Sequence, residues 1–80
     1  MPNLTLAKTL KYFGIGDEND YVVLDGGRVL GRIMLAPQAP EGTPWFWTIT
    51  ALEFEPSIHN RGHSATREQA MADLKARWFA

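Results

Sequence analysis

The clearest hydrophobic pattern in the chain is YVVLDGGRVLGRIML, residues 21–35, where two β-branched-rich runs flank Asp25-Gly26-Gly27. Asp-Gly and Gly-Gly both supply the positive φ angles that a tight hairpin turn demands. The turn centre falls on Asp25-Gly26 or on Gly26-Gly27, and either choice predicts the same two faces. Val22, Leu24, Val29, Gly31, Ile33 and Leu35 form a wholly apolar face, which is assigned to the core. Tyr21, Val23, Arg28, Leu30, Arg32 and Met34 form the other. A three-residue loop with a bulge would break this parity.

A second strand is predicted at WFWTITALEF, residues 45–54, rich in aromatic and β-branched residues. Trp45, Trp47, Ile49 and Ala51 share its more apolar face. Phe46, Thr48, Thr50 and Leu52 share the other. Residues 4–13, LTLAKTLKYF, carry two periods at once: Leu4 and Leu6 alternate like a strand, while Leu6, Leu10 and Phe13 are spaced like a helix face. Thr5 and Thr9 favour the strand. Proline and glycine mark residues 14–20, 36–44 and 55–64 as loops.

The chain ends in a predicted helix, TREQAMADLKARWFA. Thr66 followed three residues later by Gln69 has the form of a capping box. Glu68 in the first turn and Lys75 and Arg77 in the last complement the helix dipole. Ala70, Met71, Leu74 and Trp78 line one stripe, and Asp73 and Arg77 are spaced as a solvent-side pair. The elements together predict one domain over residues 1–80, of α+β class. It is an antiparallel meander of three to four strands, packed by one C-terminal α-helix. The helix stripe is expected to meet Trp47, Ile49, Val22, Val29 and Ile33, with Gly31 leaving room for Trp78 or Met71.

Composition narrows the chemistry. A chain of 80 residues buries only about 60% of the surface its unfolded form exposes, so the large aromatics are expected to supply much of the core. There is no cysteine, which excludes disulfides, thiolate metal sites and cysteine nucleophiles. The formal net charge of −1 disfavours non-specific nucleic-acid binding. The first residues, MPNLTLAKTLKYF, hold no apolar run long enough for a signal peptide or a membrane span, so no membrane role and a cytoplasmic location are expected.

Active-site signals are sparse. His59 and His63 are four apart, but in a loop, where that spacing fixes no metal geometry. Asp17 and Glu18 read as solvated loop residues and Asp25 as a turn residue, and nothing in the pattern predicts burial of these or of Asp20. Ser57 and Ser64 lack a nucleophile-elbow setting, and Gly14 and Gly16 do not make a dinucleotide fingerprint. No catalytic residue, cofactor or metal is therefore assigned, and the chain is read as non-enzymatic.

The succession DYVVLDGGRVLGRI, PEGTPWFWTI and ATREQAMADLKARW resembles a family of short bacterial proteins of uncharacterised function. Their pattern runs from an acidic-Tyr hairpin through Gly-Arg-Ile and Trp-Phe-Trp to Ala-Thr-Arg-Glu-x-Ala-Met and a final Trp. The likeness covers about residues 18–78. It implies a single compact domain and brings no activity with it. Where such proteins often carry Gly-Tyr or Gly-Phe, this chain has Gly62-His63. A sheet followed by a packing helix is also similar, at fold level, to AP2-type and integrase-arm DNA-binding domains, which read DNA with the sheet face opposite the helix.

That face is the best functional lead. Tyr21, Arg28, Leu30, Arg32, Phe46 and Thr48 are the candidate interaction surface, with Met34 and Leu52 extending its apolar part. An exposed apolar patch of this kind suggests a protein partner or a homodimer, provided residues 4–13 do not fold over it. The arginines allow nucleic acid as the alternative occupant.

Overall fold

The computed structural model describes residues 4–14, 16–51, 53 and 55–80. Five antiparallel strands run in chain order across one sheet: β1 (Leu4–Lys8), β2 (Asp20–Asp25), β3 (Arg28–Leu35), β4 (Trp45–Ile49) and β5 (Arg61–Ser64). A short helix, α1 (Thr9–Phe13), follows β1, and the C-terminal helix, α2 (Arg67–Trp78), packs across β3, β4 and β5. This is the expected α+β meander with one strand more than the pattern predicts. No helix among the described residues is long and apolar enough to cross a membrane.

Both periods in residues 4–13 are realised, one after the other. The alternation of Leu4 and Leu6 holds through Lys8, and the chain then turns helical from Thr9. Gly14 ends that turn in the left-handed region (φ 75), its N–H donating to the Leu10 carbonyl at 2.9 Å. The additional strand, β5, lies inside the predicted 55–64 loop. Its sequence, Arg-Gly-His-Ser, has no β-branched residue, so it has no strand signature of its own.

The hairpin turn centres on Gly26-Gly27, because Asp25 pairs with Arg28 and Gly26 takes φ 64. In the next pair Leu24 faces Val29, but Val23 then faces Gly31, which leaves Leu30 as the extra residue of a β-bulge. The bulge overturns the predicted division of faces. Tyr21 and Val23 turn toward α2, and Val22, Leu24 and Val29 turn away. Leu30 joins Gly31 on the helix side and is fully buried there. Arg32 and Met34 remain on the outer side, while Arg28, beyond the bulge, is carried to the helix side.

The core lies between sheet and α2: Leu4, Val23, Leu30, Ile33, Trp47, Ile49, Ala70 and Leu74 form one buried cluster, with Trp45, Met71 and Trp78 packed against it. Gly31 leaves room for Leu74, and not for the Trp78 or Met71 expected from the sequence. A Cβ on Gly31 would sit 2.5 Å from the Thr48 carbonyl oxygen and 3.1 Å from Leu74 Cδ1. Trp78 instead lies under the Arg28 guanidinium, 5.7 Å from the ring centroid.

Caps and side-chain bonds fix the direction of α2. Thr66 Oγ1 accepts from the Gln69 N–H at 3.0 Å, the expected cap, while the Gln69 side chain donates to Asp73 Oδ1 at 2.8 Å. Asp73 also accepts from Ser64 Oγ at 2.6 Å, and Arg77 Nε donates to Asn60 Oδ1 at 3.0 Å. The helix is thus anchored to β5 and to the 3₁₀ turn before it (Ile58–Asn60).

Candidate interaction face

The outer side of the sheet is covered in one part and open in another. α1 lies along β2, where Thr9 is buried and its hydroxyl donates to Asp20 Oδ1 at 2.7 Å. At its far end the Tyr12 hydroxyl donates to the Gly27 carbonyl at 3.3 Å. Beneath it Val22, an outer-face residue, is fully buried. The cover stops at β2. Leu10, Tyr12 and Phe13 remain exposed on α1 as an apolar ridge beside the open strands.

Beyond that ridge the strand register places Arg32 and Met34 of β3, Phe46 and Thr48 of β4, and Arg61 and His63 of β5 on one surface. Phe46 pairs with His63 across the strands, and their rings meet at 5.3 Å between centroids, tilted by 54°. Thr48 pairs with Arg61. Arg61 and His63 are exposed, and Arg32, Met34, Phe46 and Thr48 are half-buried.

Arg32 is held in place. Its Nε donates to Asp20 Oδ1 at 3.2 Å and its Nη2 to Oδ2, a two-point contact with a carboxylate that is itself buried. Asp20 therefore corrects the sequence reading: the pattern gave no reason to bury it, yet it joins Thr9 of α1 to Arg32 of β3. Burial is tolerable because both oxygens have donors, one of them charged.

Half of the candidate surface is thus assembled as expected. Arg32, Phe46 and Thr48 share the outer face. Tyr21, Arg28 and Leu30 do not, and the bulge is the reason. Arg28 pairs with Glu53 and covers Trp78 on the helix side. Leu52 lies outside the described residues. Arg61 and His63 are the face's additional members. The sequence signal that could have found them is slight: two polar side chains alternate about Gly62, where a Cβ would press on the Trp47 ring at 3.0 Å. The two histidines separate, His59 lying in the 3₁₀ turn and His63 in β5.

Tyr21 belongs to a different feature, a shallow cleft of about 290 Å³ at the start of α2, lined by Asn19, Tyr21, Trp45, Ala65, Thr66, Arg67 and Glu68. The Arg67 guanidinium stacks 5.0 Å from the Tyr21 ring centroid and donates to its hydroxyl at 3.0 Å. The Tyr21 and Trp45 rings lie 6.4 Å apart. Thr66 is occupied as the helix cap. The polar groups of this cleft are largely turned on one another, and its geometry serves to dock the N-terminus of α2 onto β2 and β4.

Comparison of the chain with protein-family models, with curated proteins and with solved structures finds no match.

Proposed function

We propose that this chain is a small non-enzymatic interaction domain of the cytoplasm. It would bind a protein partner through the outer face of β3, β4 and β5. The observation that supports this reading is the limit of the α1 cover. The same helix that seals Val22 leaves Phe46 half-buried against His63, among Arg32, Met34 and Thr48. An aromatic residue ringed by polar and arginine side chains on a rigid sheet has the composition of an interface centre. Arg32 is already oriented by Asp20, so less side-chain entropy is lost on binding.

The test is affinity capture from a lysate of the source organism, with and without nuclease, using the native chain and the double variant Phe46→Ala, Arg32→Ala. A partner recovered despite nuclease by the native chain, and lost with the variant, is expected. Recovery that is indifferent to both substitutions would remove the reading.

Nucleic acid is the second reading, and one observation favours it. Arg61 is exposed beside the Phe46–His63 ring pair, and bases can stack on such a platform. Recovery that collapses with nuclease would select it.

A further inference from the structure

We infer that the partner supplies an acidic, extended segment that adds to the free edge of β5 as a sixth strand. This rests on the interaction reading above and names its ligand class. β5 is the last strand of the sheet. Its backbone pairs with β4 on one side. On the other side, Arg61 to Ser64 have no backbone partner among the described residues. A strand edge left in this state offers main-chain hydrogen bonds to an extended peptide, and the side chains beside it set which peptide is taken.

Those side chains select for acid. The chain as a whole has a formal net charge of −1, yet the open strands place Arg32, Arg61 and His63 on one surface. Asp20 is the carboxylate that the strand register puts on this face, and it is buried and bound to Arg32 and Thr9. Arg61 has no ion-pair partner among the described residues. In an added strand, alternate side chains fall on the outer face beside Arg61 and His63, where carboxylates would be met by an uncommitted guanidinium. The intervening side chains fall on the helix side beside Gly62, where the Trp47 ring takes the place of a side chain and gives them an apolar neighbour.

A peptide suits this surface better than a nucleic acid. A phosphate backbone is held by neutralising several phosphates at once, and among the described arginines of this face Arg61 alone is uncommitted. The other sheet edge is less suited, because β1 runs directly into α1, and its outer-face positions carry Thr5 and Ala7.

The experiment pans a random twelve-residue peptide library against the immobilised full chain, then measures the enriched peptide by titration and by amide hydrogen exchange. The expected peptides alternate acidic and apolar residues. Their affinity falls by at least about tenfold in Arg61→Glu, the scale of one lost charge-assisted contact and its reversal. Exchange slows at the amides of residues 61–64. Absence of enrichment over bare support would overturn the inference. So would slowing confined to β1, or tighter binding of a single-stranded oligonucleotide of equal length. Enriched peptides that lack acid but still depend on Phe46 would overturn the acidic-strand inference alone and leave the interaction reading standing. Loss of all dependence on Phe46 would remove both.

Discussion

The two faces of the sheet are stabilised by different means. On the helix side the closure is apolar: Leu30, Ile33, Ala70 and Leu74 are fully buried, and a glycine is needed at position 31 for the helix to approach. On the outer side the closure is small and polar. One short helix is tied down by the Thr9–Asp20–Arg32 network and by Tyr12, and it lies against β1 and β2. An antiparallel sheet commonly packs one face on the core and leaves the other to solvent, and a chain of 80 residues has little left with which to seal both. The contrast places the main apolar core on the helix side and leaves the open strands of the outer side as the surface proposed to bind a partner.

Substitutions can break this contrast or sharpen it. The largest effect is expected from Leu74→Ala, which empties the centre of the helix-side core at a cost of about 2–5 kcal/mol. A domain of this length has a total stability on the order of 4–12 kcal/mol, so a urea midpoint should fall steeply. Gly31→Ala should follow, at about 1–3 kcal/mol. Its new methyl meets a backbone oxygen that cannot swing aside, and thermal denaturation measures the loss.

Asp20→Asn tests the polar closure by itself. The variant puts an amide where the Arg32 contact needs an anion, and about 1–3 kcal/mol should be lost. Limited proteolysis should then cut first near residues 9–13, while the α2 side remains protected. Thr66→Ala removes one cap from α2 and should cost about 1 kcal/mol, read from the urea midpoint. The smallest effect on stability is expected from Arg61→Glu, within about 0.5 kcal/mol, because the residue is exposed. Its consequence should appear in partner binding.

The helix side was the more legible of the two faces. The stripe of α2, its Thr66 cap and the alternation of Trp45, Trp47 and Ile49 are written in patterns with a single period. The β2–β3 hairpin was legible as a hairpin but not in its faces. Val22-Val23-Leu24 and Val29-Leu30 are apolar at successive positions, so periodicity cannot say which residue points inward, and the bulge at Leu30 decides it. That one extra residue removed Tyr21, Arg28 and Leu30 from the predicted surface. β5 was silent because its residues have no strand preference of their own. Its place comes from pairing with β4, with Gly62 accommodating the Trp47 ring. Asp20 was unpredictable for a similar reason: its two donors, Thr9 and Arg32, come from 11 and 12 residues away and meet only in the folded sheet.

The most direct test of the central contrast is a paired measurement on Phe46→Ala: its unfolding free energy, and the recovery of the partner captured by the native chain. We predict a stability loss well below that of Leu74→Ala, together with loss of the partner. A stability loss as large as that of Leu74→Ala, with recovery unchanged, would make Phe46 a core residue and contradict the assignment of the outer face to binding.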